Sequence, residues 1–293
     1  MKRKTVRLAA MAGAFTCAMM LTACGTTDDG TTAVENIATE TEQAVNIAEP
    51  DKTEEAASAS SLVETQIQES VVTESSEEEE DMSTEFITVF TQNSIRIDGD
   101  KKIYIDPFKM QETPGDGDVI FITHAHYDHF SPEDMEKVMK ASGTILVMPA
   151  SMKDKASEVP SGIDDIVYVT PGECGEVSGV KFETIPAYNI GKKFHPRENE
   201  WVGYIFEIGG KRIYIAGDTD ATPEAQAVKC DIALIPIGGT YTMDAEEAAE
   251  LINIIEPKVA IPVHYGSVVG SPEDAAVFTK AVNGNITVEV KIP

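Results

Sequence analysis

The stretch His124-Ala125-His126-Tyr127-Asp128-His129 follows directly on Asp118-Val119-Ile120-Phe121-Ile122-Thr123, and this junction decides the reading of the chain. The apolar run predicts a buried strand, so the three imidazoles and the carboxylate begin where a strand ends and the backbone turns. From a turn all four side chains can converge. His124 and His126 can chelate one divalent ion while Asp128 and His129 face a second, at the roughly 3.5–4 Å separation of two-metal hydrolytic sites. A lone histidine is ordinarily a core or surface residue; four ligand types in six residues are not ordinary.

The chain has five histidines, and the remaining two are His195 and His264. His264 follows a second apolar run, Lys258-Val259-Ala260-Ile261-Pro262-Val263, and a third, Arg212-Ile213-Tyr214-Ile215-Ala216, leads through Gly217 to Asp218. Three predicted strands thus each deliver a metal-ligand type at their carboxyl end, where α/β architectures place ligands.

These phrases together, with Ala216-Gly217-Asp218-Thr219 and Ile261-Pro262-Val263-His264-Tyr265-Gly266, resemble the metallo-β-lactamase-fold hydrolases. The phrases Pro186-Ala187-Tyr188-Asn189, Gly217-Asp218-Thr219-Asp220 and Leu234-Ile235-Pro236-Ile237-Gly238-Gly239 narrow the likeness to the branch of ascorbate-6-phosphate lactonase-like proteins and N-acylphosphatidylethanolamine phospholipase D. The resemblance covers roughly residues 86–293. It implies an α/β fold, the αββα four-layer sandwich, and two divalent ions, zinc or manganese. It also implies that His124 and His126 hold the first ion, Asp128, His129 and His264 the second, and that Asp218 bridges both. A hydroxide between the ions would attack an ester, lactone or phosphodiester bond, with Asp128 either orienting it or serving only as a ligand.

One position departs from the family's pattern. Where a third histidine of the first site commonly stands, this chain has Asn189, a weak oxygen ligand better suited to manganese than to zinc. His195, six residues on in Gly191-Lys192-Lys193-Phe194-His195-Pro196-Arg197, is the alternative third ligand. Pro196 predicts extended backbone at His195, which would then project from a loop. Tyr188, Lys192, Lys193, Arg197, Tyr241 and Ser267 lie near the ligands in sequence, as substrate contacts or as solvated surface. Two other functions compete with hydrolysis: a lipid-anchored binding or sensing protein with a degenerate site, and a non-haem diiron oxidoreductase of the same fold.

The N-terminus reads separately. Lys2-Arg3-Lys4 and Arg7 precede an apolar segment, Leu8 to Leu21, too short to span a bilayer, and Leu21-Thr22-Ala23-Cys24 resembles a lipobox. Residues 1–23 therefore read as a bacterial lipoprotein signal, with Cys24 as the lipidated first residue of a protein anchored at the cell surface or on the outer face of the cytoplasmic membrane. Residues 25–85 carry eighteen acidic side chains against Lys52 alone and no aromatic residue. Such a segment cannot bury enough apolar surface to offset its ordering entropy, so 24–85 reads as a disordered tether. The whole chain has a net charge of −27, and the region from residue 86 is itself acidic. That argues against nucleic acid as a partner and leaves a small-molecule or lipid-derived substrate. Cys174 and Cys230 do not define a disulfide framework, although a single bridge is open to them.

From residue 86 to 293 the texture is that of one domain. Phe86–Thr91, Ser94–Ile97 and Lys102–Asp106 predict a meander with a turn at Asp98-Gly99-Asp100. Trp201–Glu207 and Arg212–Ala216 predict a hairpin about Gly209-Gly210. The phrases Ser131-Pro132-Glu133-Asp134 and Ser271-Pro272-Glu273-Asp274 each predict a helix with Ser as N-cap and Pro at the first position. Asp244–Ile255 predicts an amphipathic helix with Ala245, Ala248, Ile252 and Ile255 inward.

Overall fold

A computed structural model describes residues 82–292; the segment 1–23 read as a signal, Cys24 and the acidic segment as far as residue 81 lie outside the described residues. Two sheets run in chain order. The first is built from β1 (Ile87–Thr91), β2 (Ser94–Asp98), β3 (Lys102–Ile105), β4 (Val119–Phe121), β5 (Ile145–Pro149) and β6 (Asp165–Val169). The second is built from β7 (Cys174–Val177), β8 (Val180–Pro186), β9 (Val202–Ile208), β10 (Lys211–Ile215), β11 (Ile232–Pro236), β12 (Val259–Val263) and β13 (Thr287–Val288).

Both sheets change character in the same way along their width. β1, β2 and β3 pair antiparallel and β3 to β6 parallel; β7 to β10 pair antiparallel and β10 to β13 parallel. The central parallel strands β4, β11 and β12 are buried at every position, which is why they read as unbroken apolar runs rather than as alternating ones.

Alternate residues of each strand enter different cores. Val119 and Phe121 face inward with Ile213, Ile215, Leu234 and Ile261, forming the core between the sheets. Ile120 and Ile122 face outward onto Met135 and Val138 of α1 (Pro132–Val138). On the other side, Tyr214, Ala233, Ile235 and Ala260 share a core with Ala225 of the short α2 (Pro223–Gln226) and with α3 (Ala245–Ile255) and α4 (Asp274–Ala281). Helix, sheet, sheet, helix is the four-layer order. Phe121 ties the sheets together through edge-on contacts with Phe182, Tyr204 and Phe206, each of a kind that contributes about 0.5–1.5 kcal/mol beyond its buried area.

The predicted caps divide. Ser131 does cap α1, accepting from the Asp134 amide with Pro132 in the first turn. Asp244 caps α3 in a reciprocal box with Glu247. The Ser271 phrase does not repeat the first device: α4 starts only at Asp274, whose carboxylate accepts from the Ser271 amide at 2.7 Å and from its hydroxyl. Glu273 occupies the N-cap position without a side-chain capping bond. A serine-proline phrase thus marks the approach to both helices but caps only one. Cys174 and Cys230 are not bridged, and no described helix is long and apolar enough to cross a membrane.

Candidate metal centre

Four strand ends in two sheets supply the site. β4 runs into Thr123 and His124, and the turn beyond it is closed by the amides of His129 and Phe130 donating to the His126 carbonyl at 3.0 and 2.7 Å. β10 runs through Gly217, at φ +65° and packed against Thr123 so closely that a Cβ would lie 3.2 Å from its side chain, to Asp218. β12 leads directly into His264, itself at φ +57°. β8 leads into the loop that carries Asn189 and His195, and the Asn189 amide donates to the His195 carbonyl at 2.8 Å, folding the loop back on itself.

The side chains gather into two clusters, His124, His126, His195 and Asp218 in one and Asp128, His129 and His264 in the other. Within each, the candidate donor atoms lie within 4.8 Å of one another. Asp218 stands between them. Its Oδ2 is 3.2 Å from His195 Nε2 and 3.9 Å from His124 Nε2, and its Oδ1 is 3.3 Å from His264 Nε2 and 3.4 Å from His129 Nε2. Asp128 Oδ2 lies 3.4 Å from His264 Nε2.

The site fits divalent cations on its own chemistry. His195 Nε2 and Asp218 Oδ1 are buried without a hydrogen-bond partner, a costly condition unless something else meets them. His129 Nε2 and His264 Nε2 face each other at 3.1 Å, as do His124 Nε2 and His126 Nδ1 at 3.0 Å. Burial, with help from neighbouring His129, holds His124 well below the ordinary histidine value, and burial with neighbouring His195 brings His126 down to about 4. Both are therefore neutral at pH 7, the form that donates to a metal. For His129 burial works against the charge, but the carboxylates of Asp218 and Asp106 override it and raise the value well above normal. Burial also opposes ionisation of Asp218, and His264 and His129 override it in turn, so the carboxylate stays charged.

The structure adds residues to which the sequence reading gave no role at the site. Asp106, fully buried at the end of β3, accepts from the Thr123 amide at 2.8 Å, the Thr123 hydroxyl at 2.6 Å, Asn93 Nδ2 at 2.7 Å and His129 Nδ1 at 2.7 Å. It fixes the His129 tautomer with Nε2 turned into the site, the arrangement of a carboxylate behind a ligating imidazole. The Thr123 hydroxyl does the same for His124 Nδ1 at 3.0 Å. Trp201, the chain's one tryptophan, packs its ring against His124, His126 and His195 with centroids 4.8, 4.9 and 5.5 Å away. Asp220 pins the His195 loop, accepting from the Ile190 amide and Lys192 Nζ at 2.8 and 2.6 Å. Replacing Asp106 with Asn is expected to weaken metal binding by about 10- to 100-fold, the usual cost of losing such a partner. Titration of the apo-protein with a chromophoric chelator as competitor measures it, and an unchanged affinity would show that Asp106 serves only the fold.

Asn189 and His195 do not exchange roles. His195 is in the first cluster, whereas the Asn189 amide group stands behind it, 3.3 Å from His195 Nδ1 and donating to the Tyr241 carbonyl at 2.5 Å. The backbone at His195 is not extended as the following proline predicted: φ is +56°. The closed loop and the packing on Trp201 outweigh the local preference. Asp106, His195 and His264 are all non-glycine residues at positive φ around one centre, a clustering of backbone strain seen at functional sites. Of the six loop residues, Tyr241 reaches the open side of the site. Lys192, Arg197 and Ser267 are engaged by Asp220, Glu224 and Lys109 respectively, Tyr188 bonds Glu224, and Lys193 sits near the Phe194 ring.

Residues 86–264 match the beta-lactamase superfamily domain. A metal-dependent hydrolase of Pyrococcus abyssi is 32% identical over 210 residues, spanning 67% of this chain and 92% of its own. Among solved structures, a protein of Parabacteroides distasonis assigned to the metal-dependent hydrolases is 29% identical with a TM-score of 0.58, covering 71% of this chain and 93% of the other. A metallo hydrolase of Ignicoccus hospitalis is 26% identical with a TM-score of 0.56, covering 71% and 94%. With two sheets in that order and a histidine-aspartate centre at their strand ends, the chain belongs to the metal-dependent hydrolases of the metallo-β-lactamase superfamily.

Proposed function

We propose that this centre binds two divalent ions and hydrolyses an ester, lactone or phosphodiester bond. The observation that carries the reading is Asp218, whose two oxygens address different clusters at 3.2–3.9 Å. His124, His126 and His195 would hold one ion, Asp128, His129 and His264 the other, and Asp218 both. A donor set of five imidazoles and two carboxylates favours zinc, with Asn189 behind a ligand rather than serving as one. Bound there, such ions would supply Lewis acidity that lowers the pKa of a water and stabilises the oxygen on which charge develops.

The chain's own residues do the rest. Asp106 and Thr123 hold two imidazoles with Nε2 forward. Asp128 stays ionised: burial opposes the charge, but the hydrogen bond from His264 and the nearby His129 hold its pKa below normal. It lines the open side of the site, where it can take a proton from an attacking water. A screen of metal-loaded protein against esters, lactones and phosphodiesters tests the reading; turnover of at least one class that stops on chelation is expected. Turnover that survives full metal removal would contradict it.

The reading extends to place and partners. The basic, apolar, Leu21-Thr22-Ala23-Cys24 succession supports a lipid anchor at Cys24 that puts the domain at the bacterial cell surface or on the outer face of the cytoplasmic membrane. The acidic charge supports a small-molecule or lipid-derived substrate over nucleic acid. Cys24→Ser should move the protein out of the membrane fraction or leave it as unprocessed precursor. Mass spectrometry that finds an intact, unmodified peptide spanning Ala23 and Cys24 in the mature wild-type protein would refute the anchor.

A further inference from the structure

The open side of the centre has uncharged walls. A cavity of about 400 Å³ reaches His126, Asp128, His195, Asp218 and His264, and its remaining lining is Tyr127, Phe194, Tyr241 and Val268. Phe194 and Tyr241 meet edge-on with centroids 4.7 Å apart. Tyr127 leans edge-on against Phe108 at 5.9 Å. Tyr127 is 66% exposed and Phe194 41%, so both rings present apolar area that the fold itself does not cover.

Three cations near this mouth are engaged by other groups. Lys192 Nζ donates to Asp220 and to the Thr242 carbonyl at 2.6 and 2.9 Å, Arg197 to Glu224 at 2.6 Å, and Lys109 Nζ to the Ser267 hydroxyl at 2.9 Å. Lys193 Nζ stands 5.8 Å from the Phe194 centroid but does not line the cavity. Beside any metal ions, a phosphate ester is ordinarily gripped by guanidinium, ammonium or aligned amides around its free oxygens. These walls offer aromatic faces and edges and a valine, which instead bury a large apolar group.

We propose that the substrate is an uncharged carboxylic ester or lactone bearing an aromatic or extended apolar substituent, which packs on Phe194, Tyr241 and Val268 while its carbonyl faces the histidine-aspartate centre. The inference rests on the hydrolytic reading above and narrows it. In the reaction the water oxygen bonds to the acyl carbon and the acyl C–O bond breaks. The leaving oxygen takes one proton of the water, and the product acid releases the other at neutral pH.

The test compares γ-phenyl-γ-butyrolactone, γ-butyrolactone and bis(p-nitrophenyl) phosphate as substrates of the metal-loaded full chain. The phenyl lactone is expected to exceed the unsubstituted one by about 10-fold or more in kcat/KM, on the scale of one aromatic contact. Phe194→Ala should collapse that ratio towards one through KM, with Tyr241→Leu as the second variant should the first misfold. Ile254→Ala, on an exposed site of α3, should keep the wild-type ratio. Equal kcat/KM for the two lactones, or a higher value for the phosphodiester, overturns the inference and leaves the hydrolytic reading standing. No turnover of any of the three overturns the inference, and if the ester, lactone and phosphodiester screen is likewise blank, the hydrolytic reading falls with it.

Discussion

Asp218→Asn is expected to remove metal from both clusters at once. One carboxylate oxygen of Asp218 lies among His124 and His195 and the other among His129 and His264, so a single carboxylate addresses both clusters. The amide keeps the size but halves the donor capacity and removes the charge that four buried imidazoles face. Stoichiometry should fall from two ions per chain to below one, and activity by more than about 100-fold, beyond the range felt when a supporting partner is lost. The domain should stay folded, since the core between the sheets and the two outer cores contain none of these ligands. Circular dichroism alongside metal analysis separates the outcomes. A variant that keeps two tightly bound ions would show that Asp218 does not bridge.

His195→Ala and Asn189→Ala are expected to differ in degree. His195 offers a buried Nε2 with no other partner, so its loss removes a donor from the first cluster and should cut affinity there by about 100-fold or more, above the scale of supporting residues. The sequence alone suggests that Asn189→Ala would do little if His195 is the ligand. The structure revises this, because the Asn189 side chain bridges His195 Nδ1 and the Tyr241 carbonyl. Its removal should cost about 10-fold by letting the imidazole turn. Competition titration with a chelator ranks the variants. Equal losses, or a larger loss for Asn189→Ala, would make the amide the ligand and would bring with it a preference for manganese.

The fold was legible wherever both faces of a strand are buried. Val119–Phe121, Ile213–Ile215 and Val259–Val263 are apolar at every position, and only strands sandwiched between two layers are built that way. The ligands were legible because each follows such a run. Asp106 escaped notice for a different reason: nothing in Ile103-Tyr104-Ile105-Asp106 reveals that β3 lies beside β4 with its end against Thr123. That adjacency exists only once the sheet is formed. His195 shows the limit of a local rule, since the preference a proline imposes is smaller than what a closed loop and three packed rings supply. Ser271 shows another, because Asp274 takes over the bonding that the phrase assigned to serine.

Metal content of the full chain, measured together with hydrolysis, bears most directly on the claim of a two-ion centre. Protein stripped with a chelator and dialysed against zinc should take up two equivalents per chain, and activity should return with them. One equivalent or none at saturation, or hydrolysis that persists in the stripped protein, would contradict the account.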